Sequence, residues 1–281
     1  MIDVHTHIFS RYARSHRANL AAQDPVFGMM YADKKARMVG VEELVTVMDQ
    51  DGIDAAVVCG FPWHCGEQCR RENDYIVDAA RTHRGRIVPF ISLPPGDEGL
   101  RDLEVWGKEE IKGVGEWAPG TYGGKVWEHE QIAALGNVMR RVGACLLVHY
   151  NEPLGRHYPG KGTVPLRQFQ GVLEALQGVE VIVAHMGGGF YLYELMPEIA
   201  ALCTNVYYDT AAAPYIYDHR IYRVAVSVVG CQRLLFGSDF PLLRSSRYLR
   251  GMGEAGLTDE ELHQITDGNA RRLLGVQSPT I

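Results

Sequence analysis

The first residues that could do chemistry lie close to the N-terminus, at His5 and His7. Two residues apart on an extended chain, their imidazoles point to one side and can bind one ion. Such a pair alone is a weak motif, because histidines reach this spacing by chance. Further histidines and acids follow apolar runs elsewhere in the chain: Glu116, His149, His185 and Asp239. Four imidazoles and two carboxylates predict a site for zinc or another divalent transition metal.

Eight short apolar runs recur along the chain, and each is followed by a helical pattern. The runs are Ile2–His5, Ile53–Cys59, Ile87–Leu93, Gly113–Trp117, Cys145–Tyr150, Val179–His185, Asn205–Asp209 and Leu234–Asp239. Such continuous runs are typical of strands buried on both faces, as in a parallel sheet. The α/β alternation predicts a (β/α)8 TIM barrel formed as a single domain by residues 1–281. The alternative is a doubly wound sheet, but no glycine-rich phosphate loop follows the first run.

The candidate ligands stand at the ends of five of these runs. Functional side chains of a barrel gather at the C-terminal ends of its strands, so we expect the six residues to meet there. Residues 10–40 follow the first run and show neither a strand pattern nor a clean helical one. On a barrel they would lie over the same end, as a lid or substrate-contacting insertion or as a mobile surface loop.

Composition and charge exclude several classes of protein. The net charge of −6 argues against a protein that follows nucleic-acid phosphates. No run reaches the roughly 18 apolar residues that span a bilayer, and the N-terminus lacks the pattern of a signal peptide. We therefore expect a cytoplasmic protein whose partner is a small-molecule substrate rather than nucleic acid or a membrane. A homodimer is the commonest assembly for such a chain, although the sequence does not specify one.

The six cysteines are interpreted as free thiols, because a chain of 281 residues without a signal peptide does not need disulfides. Cys65 and Cys69 are the only close pair. No second pair at zinc-finger spacing accompanies them, so a structural zinc there is a remote alternative.

The sequence resembles the amidohydrolase superfamily over nearly its whole length. His5, His7, His149, His185 and Asp239 match, in order, the metal and catalytic positions of that superfamily. Within that superfamily, the sequence is similar to the amidohydrolase-related branch that contains decarboxylases. The segments that carry this likeness are residues 113–116, 149–153, 158–162, 184–189, 236–243 and 268–274. The resemblance implies a TIM-barrel enzyme but does not fix its substrate.

Glu116 departs from the pattern of many superfamily members, which bridge two metals through a carboxylated lysine ending strand four. Here Lys112 begins that run and Glu116 ends it, as in the dinuclear subset that includes the TatD-like hydrolases. The resemblance implies one site built from His5, His7, Asp239 and Glu116, and a second at Glu116, His149 and His185. If one ion binds, its expected ligands are His5, His7, His149 and Asp239, leaving His185 as acid or base.

The reaction expected first is hydrolysis of an amide, lactone or ester. A bound metal lowers the pKa of water to about 7, which gives a hydroxide nucleophile. Asp239 would take the proton of that water and pass it to the leaving group. Lys161, His157 and Arg244 are candidate contacts for an anionic substrate. Tyr150 is a candidate for an apolar side of the substrate pocket. For Lys161 and Arg244, pairing with a protein carboxylate is an equally good interpretation.

Three other functions stay open. The first is non-oxidative decarboxylation of an aromatic or unsaturated acid with one metal, which part of the branch performs. The second is a TatD-like nuclease, which shares the glutamate but is opposed by the acidic net charge. The third is a non-catalytic metal-binding barrel, which is disfavoured because every expected catalytic position holds a competent residue.

Overall fold

Eight parallel strands form one sheet in which each strand pairs with the next along the chain. The computed structural model describes residues 1–94, 96–118, 127–162 and 164–277. The strands are β1 (Ile2–Thr6), β2 (Ala55–Cys59), β3 (Ile87–Ile91), β4 (Gly113–Trp117), β5 (Cys145–Val148), β6 (Val181–Val183), β7 (Val206–Asp209) and β8 (Leu234–Leu235). Each of them lies within or overlaps one of the eight apolar runs, so the strand predictions are confirmed.

The barrel closes where the chain beyond β8 meets β1. The backbone N–H of Val4 donates to Phe236 O at 2.8 Å, and that of Asp239 donates to His5 O at 2.9 Å. A further parallel bridge joins Thr6 to Phe240. These bonds confirm the (β/α)8 TIM barrel and place Asp239 beside His5 through the backbone alone.

Helices surround the barrel. They are α1 (Arg11–Ser15), α2 (Arg17–Gln23), α3 (Pro25–Tyr31), α4 (Val41–Asp51), α5 (Gly66–Thr82), α6 (Asp97–Glu110), α7 (His129–Val142), α8 (Leu166–Ala175), α9 (Pro197–Leu202), α10 (Ala213–Ile216), α11 (Arg220–Val229), α12 (Ser245–Glu254), α13 (Asp259–His263) and α14 (Asn269–Leu274). Two 3₁₀-helices span His185–Leu195 and Cys231–Arg233, and a π-helix spans Gln264–Gly268. Within the described ranges, no helix has the length and apolar character needed to cross a membrane.

Apolar side chains form one core inside the barrel and another between strands and helices. Alternate residues of a strand serve the two cores, so Val57 packs inside while Val58 packs outward with Leu44 and Met48 of α4. This two-sided burial explains why the strands lack an alternation of apolar and polar residues.

Residues 10–40 contain three short helices, so the expectation that this segment lacks regular helical structure is wrong. Ser10 and Asp24 cap α1 and α3, since Ser10 Oγ accepts from Ala13 N and Asp24 Oδ1 accepts from Val26 N and Phe27 N. Helices of five to seven residues are too short to display an apolar repeat. These helices are stabilised by their caps and by tertiary packing, and neither of these can be predicted from an apolar repeat in the sequence.

All six cysteines are free thiols, as predicted. Cys69 is buried with its sulfur 3.1 Å from Ser92 Oγ, whereas Cys65 is exposed. Among the described residues, the groups that could hold a metal include neither of them. The remote alternative of a structural zinc at this pair therefore has no support.

Candidate metal centre

His5, His7 and Asp239 form the first of two triads of metal-binding side chains. Nε2 of His5 lies 3.2 Å from Nε2 of His7, and Asp239 Oδ1 lies 3.5 Å from the latter atom. All three ligand atoms lie within 4.8 Å of one another. His5 in β1 and His7 directly after it therefore turn their Nε2 atoms toward each other.

Glu116, His149 and His185 form the second triad. Glu116 Oε1 lies 2.5 Å from Nδ1 of His149 and 3.2 Å from Nε2 of His185. The same two ring nitrogens are 3.2 Å apart. The three residues come from the ends of β4, β5 and β6, as a barrel requires of side chains that converge.

Glu116 connects the two triads. Its Oε2 lies 3.7 Å from Nε2 of both His5 and His7, while its Oε1 faces the other triad. The six predicted ligands therefore form one continuous group at the C-terminal ends of the strands. Glu116 holds the position of a carboxylate that could bind one ion or bridge two.

Local irregularities of the backbone aim several of these side chains. The pairing register shifts between Asp3 and Thr6 in β1 and between Val114 and Trp117 in β4, where His5 and Glu116 lie. Extra residues of this kind re-aim side chains next to active sites. His185 and Asp239 adopt left-handed backbone angles, with φ of 58° and 57°.

Holding a non-glycine residue at left-handed backbone angles costs on the order of 1–3 kcal/mol of conformational free energy, and such residues cluster at functional sites. The surrounding structure holds both ligands in conformations that a free chain would avoid. This agrees with a site selected for its geometry rather than for stability.

The outer nitrogen of each imidazole is also bound, which fixes the ring. His5 Nδ1 lies 2.8 Å from Asp209 Oδ2, and His185 Nδ1 lies 3.1 Å from Ala211 O. His7 Nδ1 is 3.3 Å from the carbonyl of Cys59. Because the outer nitrogens donate to these acceptors, His5, His7 and His185 present Nε2 to the centre.

The carboxylates and imidazoles shift each other's pKa values strongly. Burial opposes the charge of His5, but Asp209 and Glu116 raise its pKa well above the ordinary range. Burial likewise opposes the charge of His185, and the hydrogen bond with Glu116 raises its pKa to about 9. Although burial disfavours its ionised form, the bond with His7 and the charge of His5 lower the pKa of Asp239 to about 2. The pKa of Glu116 is likewise well below its usual value, despite burial.

The donor set fits a divalent metal ion. Neutral imidazoles and ionised carboxylates are the ligands of zinc and of other first-row divalent ions. Each triad offers three such atoms with only modest exposure of its residues. The pKa values of both carboxylates are lowered because the neighbouring imidazoles supply positive charge, which a bound cation would replace.

An aromatic cluster is built on the segments that follow β1 and β2. It comprises Phe9, Phe27, Tyr31, Phe61 and Trp63, all buried. Ring centroids lie 4.9 Å apart for Phe9 and Tyr31, and 4.7 Å apart for the stacked Phe27 and Trp63. Burial and the charges of Asp239 and Glu116 raise the pKa of Tyr31. Residues 10–40 thus contribute Phe27 and Tyr31 to this cluster.

The four predicted substrate contacts do not join this group. The ammonium of Lys161 pairs with Glu152 Oε1 at 3.1 Å, and Arg244 pairs with Asp51 at the end of α4. Tyr150 is buried with its ring stacked on Phe169, at a centroid distance of 3.9 Å. His157 is exposed on the loop after β5. For Lys161 and Arg244 the pairing with a protein carboxylate is the interpretation that the structure supports.

Replacing Arg244 by glutamine is expected to leave the affinity for metal and the KM for substrate unchanged. Its guanidinium is engaged with Asp51 rather than with the six ligands. The side chain is 43% exposed, so loss of the pair should lower the free energy of unfolding by less than about 1 kcal/mol. Metal titration and thermal unfolding of the variant measure both effects. A tenfold rise in KM would instead return Arg244 to the substrate site.

Two residues that influence the candidate ligands, Asp209 and Tyr31, were not predicted from the sequence. Asp209 ends the seventh apolar run and binds His5, so its place at a strand end was the signal that could have found it. Tyr31 belongs to the segment 10–40, where no pattern distinguished it from other aromatic residues.

The chain matches the profile of the amidohydrolase family over residues 2–276. It belongs to the amidohydrolase family. This membership confirms the resemblance inferred from the strand-end histidines and Asp239. No curated protein matches the sequence.

Several solved structures share the fold of this chain over nearly its whole length. The 5-carboxyvanillate decarboxylase of Sphingomonas paucimobilis is 14% identical with a TM-score of 0.76, covering 99% of both chains. That of Novosphingobium aromaticivorans, with manganese and 4-hydroxy-3-methoxy-5-nitrobenzoic acid, is 15% identical with a TM-score of 0.78, covering 98% of this chain and 95% of that one.

A dihydroxybenzoic acid decarboxylase of a Polaromonas species is also similar. It contains manganese and the inhibitor 2-nitroresorcinol, is 16% identical and has a TM-score of 0.72, covering 98% of this chain and 96% of its own. At these identities the likeness establishes the fold. Neither hydrolysis nor zinc, both expected from the sequence, is confirmed by these structures.

Proposed function

We propose that this amidohydrolase-family member is a non-oxidative decarboxylase of an aromatic or unsaturated carboxylic acid, with one divalent metal at its centre. The observation that carries the proposal is the buried aromatic cluster built on the segments after β1 and β2, whose member Tyr31 has a pKa that burial and the charges of Asp239 and Glu116 raise. Flat apolar walls beside a few polar groups suit a planar aromatic acid. The similar folds of manganese-containing decarboxylases support the same reaction class.

The ligands assigned to one ion are His5, His7, His149 and Asp239, with His185 left to transfer a proton. When bound, the ion would hold the substrate carboxylate and draw electron density from the adjoining carbon. The bond from that carbon to the carboxylate breaks, CO2 leaves, and the electron pair stays on the carbon. His185 Nε2, which lies 3.2 Å from Glu116 Oε1, then delivers a proton to this carbon. Solvent restores the proton to His185.

Manganese or zinc would fit this role. Imidazole is a good ligand for zinc, whereas carboxylates suit manganese. With histidines and acids mixed, the donor set alone favours neither ion strongly. The manganese in the similar structures makes it the first metal to load.

The proposal is tested by measuring CO2 release. Protein loaded with Mn²⁺, and separately with Zn²⁺, is incubated with hydroxybenzoic, methoxybenzoic and unsaturated dicarboxylic acids. We expect CO2 from at least one acid of these classes, with loss of the activity after chelation and return on adding metal back. Turnover of lactones or esters by the loaded protein, with no CO2 from any acid, would contradict the proposal.

Hydrolysis of a small amide, lactone or ester is the second candidate, and Glu116 is the observation that favours it. Its two oxygens face the two triads separately, which suits a carboxylate bridging two ions. A pair of ions about 3.5–4 Å apart is typical of hydrolytic centres. The proton of the attacking water would then pass through Asp239.

Replacing Glu116 by glutamine separates these candidates. For a one-metal decarboxylase we expect one ion per chain in both proteins and a 10- to 100-fold loss of turnover, the usual effect of disturbing a neighbour of the ligands. For a dinuclear hydrolase the wild type would hold two ions and the variant one, with hydrolysis lost. Metal content by elemental analysis, with exposed Glu174→Gln as matched control, distinguishes these results.

A further inference from the structure

His149 differs from the other three imidazoles in the nitrogen that it turns to the centre. Its Nε2 lies 2.5 Å from Asn151 Oδ1 and 3.1 Å from Gly160 O. Both of these atoms are acceptors, so Nε2 carries a hydrogen and donates. Nδ1 is then the nitrogen that faces Glu116 and His185. The loop that follows β5 thus determines which atom of His149 is offered to a metal.

Asn151 is itself held from two directions. Its Oδ1 accepts a bond from Gly162 N at 2.8 Å, and its Nδ2 donates to Tyr158 Oη at 3.2 Å. The Tyr158 hydroxyl donates in turn to Glu152, with oxygen distances of 3.0 and 3.1 Å. These bonds leave the amide one orientation, with its oxygen toward His149.

A largely buried ion pair stabilises the same loop. Glu152 and Lys161 lie 3.1 Å apart with side chains 14% and 7% exposed. Lys161 also donates to the carbonyl of Arg156 at 3.1 Å. Removing one partner of such a pair would leave an uncompensated charge, so the pair fixes the loop around Tyr158.

The loop that carries His185 packs directly against Asn151. Gly188 has φ of +54°, and a Cβ there would lie 2.3 Å from the carbonyl carbon of Asn151. Only glycine permits this approach, because a side chain would collide with the backbone. The two loops that bear His149 and His185 are therefore locked together at this contact.

We propose that Asn151 is a positioning residue that makes His149 bind metal through Nδ1, with Tyr158 and the Glu152–Lys161 pair holding its amide. The inference rests on the metal centre of the proposed function. It gives Lys161 a role in the loop in place of the substrate contact expected from the sequence. It predicts that metal affinity depends on a residue that does not itself bind the metal.

The test is metal affinity and ring state in Asn151→Ala. Zn²⁺ and Mn²⁺ are titrated into the metal-free protein, and the nitrogens of His149 are followed by ¹⁵N NMR of the zinc-loaded, histidine-labelled chain. We expect a 10- to 100-fold weaker Kd in the variant, the usual effect of losing a partner of a ligating histidine. In the wild type, Nε2 of His149 should carry hydrogen and Nδ1 should show coordination. The control is Asn137→Ala, an exposed amide on α7 that bonds Arg140.

Two further variants keep the proposal falsifiable. Asn151→Asp retains an acceptor oxygen and should recover most of the affinity. Should Asn151→Ala not fold, Tyr158→Phe removes only the hydroxyl that orients the amide and should weaken binding to a smaller degree. An unchanged Kd in Asn151→Ala, or hydrogen on Nδ1 of His149 in the wild type, would overturn the proposal, as would a chain that binds neither metal.

These outcomes are separable from the reaction itself. If affinity falls as expected while no acid releases CO2, the role of Asn151 stands and the decarboxylase proposal fails. If CO2 is released while Asn151→Ala binds metal like the wild type, the reverse holds.

Discussion

Asp239→Asn is expected to lower turnover at least about 100-fold, because it removes an anionic metal ligand and so costs more than the 10- to 100-fold that loss of a partner of a ligand usually costs. The carboxylate lies 3.5 Å from Nε2 of His7, and the hydrogen bond with His7 and the charge of His5 lower its pKa to about 2 despite burial. Asparagine keeps the shape but removes the charge that balances the imidazoles. We therefore expect weaker metal binding as well as slower turnover.

Both effects of this substitution are measurable on one sample. Metal content is determined on the variant, and kcat and KM are measured at saturating metal so that weak binding does not account for the loss. Asp218→Asn, an exposed acid 53% accessible beside Arg220, is the matched control. Unchanged metal content together with unchanged turnover would contradict the assignment of Asp239 to the centre.

His185→Gln is expected to reduce turnover by about 10²- to 10⁴-fold while one ion stays bound. The ligands proposed for the single ion do not include His185, so all four remain in the variant: His5, His7, His149 and Asp239. Glutamine can accept or donate a hydrogen bond but carries no transferable proton near neutral pH. The loss should therefore fall on kcat rather than on metal content.

The pH profile gives a second sign of this role. With a pKa of about 9, the imidazole of His185 holds its proton at neutral pH and loses it as the pH rises through that value. Wild-type turnover should fall on the alkaline side, and the variant should lack this limb. His219→Gln, an exposed histidine 41% accessible, serves as control. Loss of the bound ion in His185→Gln would instead make His185 a required ligand.

The sequence was sufficient to predict the barrel and the meeting of the six candidate ligands at one end of it. Strands of a parallel sheet are buried on both faces, so each left a continuous apolar run, and β4 runs from Gly113 to Trp117 as predicted. A barrel brings the C-terminal ends of all strands together. Widely separated residues such as His5 and Asp239 could therefore be placed in one group from their positions at strand ends.

The ion-pair partners of Lys161 and Arg244 could not be predicted from the sequence in the same way. Arg244 bonds Asp51 across 193 positions of sequence, and either residue could have faced solvent or substrate. Lys161 and Glu152 are close in sequence, but their burial depends on how the loop after β5 folds. Such pairings are decided by tertiary packing, which leaves no periodic signal. The packing of Tyr31 against Phe9 and Phe27 arises for the same reason.

Deuterium incorporation tests the central claim most directly. The metal-loaded protein is incubated in D2O with the aromatic acid that releases most CO2, and the product is examined by proton NMR. Decarboxylation with proton transfer from an exchangeable His185 predicts one deuterium at the carbon that lost the carboxylate, in equal amount to the CO2. A product that carries no deuterium at that carbon, or one that retains its carboxylate, would contradict the account.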